Sequence, residues 1–178
     1  MNVDYLWLIP ILPLLGAALN GLLTLLTAHR EDGPPKALSG WLGVATVAAS
    51  FALTWRGFLQ LRGLPEAERA LTQTLYHWIP VGSFDLSVGF LLDPLSATML
   101  LFVTGVGALI HIYSIGYMAH DRGFSRFFAY LNLFMFAMIL LVLGDNLIVL
   151  FVGWEGVGLC STCSSVSGAS PPPTPSPA

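Results

Sequence analysis

Five stretches of this chain are long and apolar enough to cross a lipid bilayer, and that outranks every other constraint on its fold. A helix needs roughly 20 mostly apolar residues to span the hydrocarbon core. Residues 5–28, 38–55, 90–118, 127–144 and 146–163 each come near or exceed that length. Charged residues are 10% of the 178 positions and hydrophobic ones 55%, whereas a soluble domain carries about a quarter charged residues. A soluble fold is therefore excluded. The formal net charge of −3, with seven Lys and Arg scattered along the chain, makes no basic field, so nucleic-acid binding is set aside. Cys160 and Cys163 are the two cysteines; they form no disulfide framework, and one C-x-x-C offers only two of the ligands that a metal or iron–sulfur site needs.

The first run lacks a basic leading segment, has Asp4 in front and is longer than a signal-peptide core, so it is expected to be retained as a span. Pro10 and Pro13 fall in its first turns, where a missing amide donor costs least, and can kink it. Arg56 is expected to end the second span. Orientation follows from short loops, since Lys and Arg stay on the cytoplasmic side. The connections "HREDGPPK" and "HDRGFSR" carry Arg30, Lys36, Arg122 and Arg126, while the fourth, Asp145-Asn146, carries none. The N-terminus is thus placed outside, with loops one and three inside. The long second loop ends in "YHWIPVGSFDLSVGF", where Phe84, Leu86, Val88 and Phe90 alternate with polar or small residues after a Pro80–Ser83 turn signal; this predicts a small hairpin on the outer face.

Polar side chains inside spans are costly unless they face other helices or water. In the third span Asp93, Ser96, Thr104, Gly107, His111 and Ser114 recur at helical spacing, and Asp93 and His111 share a face if the helix is continuous. Two readings stand. One is an interhelical seam of small and hydroxylated residues with Asp93 as an N-cap before Pro94. The other makes His111 part of a proton or ion path, its imidazole being tunable to near neutrality. In "LIVLFVGWEGVGLC", Glu155 lies about 14 Å along a helix from Asp145-Asn146, near mid-bilayer. A carboxylate there costs about 2.5–3.5 kcal/mol unless protonated, hydrated or paired. Gly153, Gly156 and Gly158 flank it and let another backbone or water approach. A protonated acid gluing two helices is the plain reading, and a transport role is the alternative.

The strings "FLLDPLSATMLLFVTGVGALIHIYSIGYM" and "GFSRFFAYLNLFMFAMILLVLGDNLIVLFVGWEGVGLCS" resemble the N-terminal part of the antiporter-like subunit L (chain 5) family of respiratory complex I, NADH-quinone oxidoreductase. The resemblance covers residues 1–161, most specifically 90–161. It implies an all-α membrane protein: about five transmembrane helices with a small extramembrane β-hairpin, the N-terminal fragment of an antiporter-like bundle. It divides the chain into residues 1–89, with two helices, outer loop and hairpin, and 90–161, with helices three to five. It implies a proton-translocating subunit in a bacterial inner membrane, coupled to electron transfer from NADH to quinone. No redox centre lies in this chain, and NADH, FMN, iron–sulfur clusters and quinone are held by other subunits. The partners implied are the other membrane-arm subunits and the lipid bilayer. The family's proton-channel acid corresponds to Glu155; His111 and Asp93 are weaker candidates. The family's partner Lys and its central Lys and His lie on later helices, beyond this sequence. Two alternatives remain: part of the large subunit of a multisubunit Na+/H+ antiporter, or an inert structural membrane fragment.

After Ser161 the family pattern continues like "YLLIGFW", whereas this chain reads "TCSSVSG". Removing one nucleotide from a coding string for the former yields the latter at all seven positions. Residues 162–178 are therefore expected to be out of frame and, with five prolines among the last eight residues, disordered; a truncated, non-functional fragment is the expectation.

Overall fold

The computed structural model describes residues 3–27, 35–81, 84–119, 121 and 123–167. Five long helices cross the bundle: α1 (Leu8–Leu26), α2 (Lys36–Gly63), α3 (Pro94–Tyr117), α4 (Phe124–Leu143) and α5 (Leu147–Ser167). Between α2 and α3 an antiparallel hairpin pairs β1 (Leu71–Val81) with β2 (Phe84–Leu92). α1 packs along α4, α2 along α1 and α3, and α4 carries α5. The segments on either side of residue 89 therefore interleave in one bundle, and β2 straddles that position.

One end of the bundle is closed by the hairpin. Its base supplies Leu71, Phe90 and Leu92 to an apolar cluster with Leu6, Ile9, Leu61, Ala97, Leu100, Ile139 and Leu143. The N-terminal segment lies at the same end, with the Val3 amide donating to the Thr72 carbonyl at 3.3 Å and the Trp7 amide to Gln73 Oε1 at 3.0 Å. At the other end Met118, Phe124 and Phe128 form a second cluster. There Lys36 Nζ donates to the Ala119 carbonyl at 2.7 Å, a cation set against the last turn of α3.

Several boundaries differ from the sequence reading. α2 runs past Arg56 to Gly63: a charge ends a membrane span without ending a helix, and Arg56 lays its guanidinium 5.1 Å over the Tyr5 ring. Residues 90–92 belong to β2, and the third helix starts at Pro94 because Asp93 caps it. α5 continues to Ser167, so residues 162–167 are helical; that corrects the start of the expected disordered tail, while residues 168–178 lie outside the described residues. The turn tip at residues 82–83 also lies outside them, as do Arg30 and Arg122.

Between the two apolar clusters the helices meet through small and polar side chains, the packing that a membrane interior favours. Pro13 has no amide to give the Ile9 carbonyl one turn earlier, and Ser50 Oγ of α2 donates to that carbonyl at 2.8 Å. Asn132 of α4 sits in a slot opened by glycines on two neighbours. Its Nδ2 donates to the Phe128 carbonyl at 3.0 Å, and its Oδ1 accepts from Thr46 Oγ1 at 3.0 Å. A Cβ on Gly16 would lie 2.5 Å from Thr46 Oγ1 and 2.8 Å from Asn132 Oδ1; one on Gly43 would lie 2.7 Å from Asn132 Nδ2 and 2.8 Å from the Phe128 ring. Gly21, by contrast, has open space where its Cβ would go. Gly43→Ala is expected to destabilise the bundle in detergent by about 1–3 kcal/mol through overpacking, whereas Gly21→Ala leaves it unchanged or adds up to about 1 kcal/mol of helix propensity. Thermal unfolding followed by circular dichroism checks both.

Candidate functional site

From Thr104 onward the polar stripe of α3 lies in the interior, whereas Asp93 and Ser96 at its start are only half-buried. Ala97, Leu100, Thr104, Gly107, His111 and Ser114 form its buried face, and Gly107 is tight against Met135 of α4, whose Sδ stands 2.6 Å from the glycine's Cβ position. Thr104 and Ser114 return their hydroxyl protons to the carbonyls of Leu100 and Ile110 at 2.6 and 2.8 Å. His111 is wholly buried, edge-on to Phe128 with ring centroids 6.1 Å apart. Its Nδ1 stands 2.8 Å from the Gly107 carbonyl. A carbonyl only accepts, so in the neutral ring Nδ1 carries the proton and Nε2 offers its lone pair, for which the described residues supply no partner.

Asp93 stands at the hairpin end, outside the span. Its Oδ1 accepts from the Ser96 amide at 2.7 Å, and Ser96 Oγ accepts from the Asp93 amide at 2.8 Å, a reciprocal capping box. Burial raises the carboxyl's pKa, and the hydrogen bonds from Ser96 and the Leu95 amide outweigh that, leaving it below the ordinary carboxylate value. The N-cap reading thus accounts for every described contact of this side chain.

Glu155 occupies a third place. It lies eight residues after Leu147, about 12 Å into a hydrocarbon layer of about 30 Å. Gly153 and Gly156 turn towards α4, with Cβ positions 2.6 Å from the Leu141 amide nitrogen and 3.0 Å from Ala137 Cβ. Glu155 therefore projects away from α4 and is exposed, between Trp154 and other uncovered apolar side chains such as Phe151 and Leu159. Among the described residues it makes no hydrogen bond or ion pair. The glycines bring α5 close to α4 and leave the acid facing outward. His111, 17 residues into α3, lies about 26 Å from that helix's start. The structure does not gather Asp93, His111 and Glu155 into one site: one caps a helix, one lies in the seam, and one faces outward.

The sequence reading passed over the amides. Asn20 and Asn132 are both fully buried inside spans. Asn20 Nδ2 donates to the Ser39 carbonyl at 3.3 Å, its Oδ1 has no partner among the described residues, and Ser39 and Ser125 share a hydroxyl contact of 2.8 Å. An amide in an apolar run was the available signal, because it too is costly in lipid.

Five helices of membrane-spanning length and apolarity, seamed by small and polar residues, define a multi-pass helical membrane protein. Residues 78–128 match the family described as NADH-ubiquinone oxidoreductase (complex I), chain 5 N-terminus. The chain is similar to NADH-quinone oxidoreductase subunit L of Mycobacterium tuberculosis (strain CDC 1551 / Oshkosh), 44% identical over 161 residues that cover 90% of this chain and 24% of the relative. It is also similar to subunit L of Escherichia coli K12, 46% identical over 124 residues, 70% of this chain and 20% of the relative. The chloroplastic NAD(P)H-quinone oxidoreductase subunit 5 of Adiantum capillus-veneris is 39% identical over 163 residues, 90% of this chain and 21% of the relative. The chain belongs to the complex I subunit L (chain 5) family, and spans between a fifth and a quarter of the length of these curated relatives.

Replacing Asp93 with Ala is expected to lower stability by about 1 kcal/mol at neutral pH. Because the folded carboxyl has the lower pKa, its contribution is complete above the unfolded value of about 4 and is lost as pH falls through the folded one. Denaturation midpoints of the two proteins should differ by a constant amount at neutral and mildly acidic pH and converge below about pH 4.

Proposed function

We propose that this chain supplies the N-terminal helices of a proton-translocating subunit of an NADH:quinone oxidoreductase, and that Glu155 is a proton-carrying acid in it. One observation supports the reading: an ionisable side chain part-way along an apolar helix of membrane-spanning length, on a face opposite glycines packed against α4. Such a residue is kept where charge must pass. The acid takes up a proton when its surroundings are apolar and releases one when a positive charge or water approaches, because each favours the charged form. His111 is assigned a secondary part, its bare Nε2 being the buried acceptor on α3. Asp93 is assigned a positional part at the mouth of that helix. NADH, flavin, iron–sulfur clusters and quinone belong to other subunits of the assembly, and the partners are the other membrane-arm subunits and lipid. The names of the relatives favour complex I over a Na+/H+ antiporter. We place the chain in a bacterial inner membrane with its N-terminus and hairpin outside, on the Lys and Arg of the opposite loops.

The test is a chimera in which residues 1–161 replace the matching part of the E. coli subunit, assayed for proton uptake into inverted vesicles on NADH addition. Glu155→Gln is expected to lower uptake by about tenfold or more, with Glu155→Asp retaining part of it; equal uptake by E155Q and the parent refutes the assignment. Orientation is read separately. Cysteine placed at Tyr76, in a background without Cys160 and Cys163, is expected to react with a membrane-impermeant maleimide in spheroplasts, and labelling only after lysis reverses the topology.

We further propose that the family's reading frame ends at Ser161. The seven-residue frame correspondence supports this, and a locus in which no alternative frame encodes the "YLLIGF" pattern overturns it.

A further inference from the structure

The turn between α4 and α5 is not a passive link. Asn146 Oδ1 accepts from the amides of Ile148 and Val149, both at 3.0 Å, which caps α5. The same side chain turns its Nδ2 the other way, donating to the Ser87 carbonyl of β2 at 2.7 Å and to Asp145 Oδ1 at 2.8 Å. Both acceptor positions and both donor protons of the amide are thus in use. Neighbouring contacts extend the junction: the Asp145 amide donates to the Gly89 carbonyl at 3.3 Å, Gly144 bridges Phe90, and the Asp145 carboxylate presses on Gly89 where a Cβ would stand. Beside the junction, a cavity of about 250 Å³ separates hairpin from helix, lined among others by Tyr76, Val88, Ile148 and Val152. Hairpin and α5 are therefore held together at the turn and apart beside it.

We propose that Asn146 is a positioning residue for Glu155: its amide fastens the outer hairpin to the first turn of α5 and so sets the depth and rotation of the helix that carries the acid. The inference rests on the reading of Glu155 given above. A rigid helix transmits a rotation at its first turn to a residue two turns on, so anything that moves the hairpin moves the acid relative to α4. The side chains that could bias the acid electrostatically from the packed neighbour are few. α4 carries Arg126 in its first turn and Tyr130 one turn later, both towards the opposite end of the bundle, and α5 itself carries Cys160 and Cys163.

The test separates capping from clasping. Ser and Asp both cap helices well, yet neither has an amide donor to give Ser87. The full chain is reconstituted in liposomes as wild type, Asn146→Ser and Asn146→Asp. Two quantities are read: hydrogen exchange of the Asp145 amide, and the pH titration of the infrared carboxyl band that vanishes in Glu155→Gln. Faster exchange at Asp145 by about tenfold, together with a midpoint shift of about half a pH unit or more in both variants, is the expected result. Faster exchange with an unmoved midpoint overturns the proposal, because the hairpin is then free and the acid indifferent. Unchanged exchange overturns it too, since Asn146 then does not hold the hairpin. The titration is defined whether or not Glu155 carries protons in turnover, so failure of the vesicle assay and failure here are told apart.

Discussion

Hydrocarbon supplies no hydrogen bonds, and nearly every specific feature of this bundle follows from that. The helical backbone satisfies itself, so the places that need explaining are those where it does not or where a side chain brings extra polar atoms. Pro13 leaves the Ile9 carbonyl bare and Ser50 of the next helix fills the gap. Asn132 would be costly facing lipid, so two glycine-bearing helices close around it. These contacts lie between apolar clusters at either end, a distribution suited to lipid: leucines add little to helix association there, whereas close backbone approach and interhelical hydrogen bonds add much.

The same logic explains how much was legible in the sequence. Helix number, the hairpin and the capping of α3 could be read because each has a local signature: an apolar length, an alternation after a turn, an Asp-Pro step. The end of α2 could not. Arg56 marks where hydrocarbon ends, but helix propensity and the contact with Tyr5 carry the helix onward. The start of the third helix was misplaced for the converse reason: residues 90–92 are apolar enough to read as membrane, yet they pair with Leu71, Thr72 and Gln73.

The site was partly legible. Glu155 stands out as an ionisable residue within an apolar run, and the stripe of α3 follows from period alone. Which stripe faces which neighbour does not follow from period. The Asn132 interior depends on Gly16 and Gly43, far away in sequence on two other helices, and that of Asn20 on the Ser39 carbonyl of a neighbouring helix. The double duty of Asn146 needs the hairpin folded back over the α4–α5 turn, which no local pattern announces.

His111 and Glu155 are both titratable within the membrane, but they inhabit opposite settings. The histidine lies in a packed seam, wholly buried beside Phe128 and against the Gly107 carbonyl of its own helix, and among the described residues no ion pair reaches it. The glutamate lies on the open side of α5, with backbone-tight packing behind it and apolar, solvent-accessible side chains around it. A carboxylate on that face is stable only when something polar covers it. Changing what covers it is a far smaller rearrangement than opening a seam closed by glycine contacts. Of the two settings, the outward face of α5 is therefore the one that changes its cover most readily, while the glycine contacts behind it pack that helix against α4.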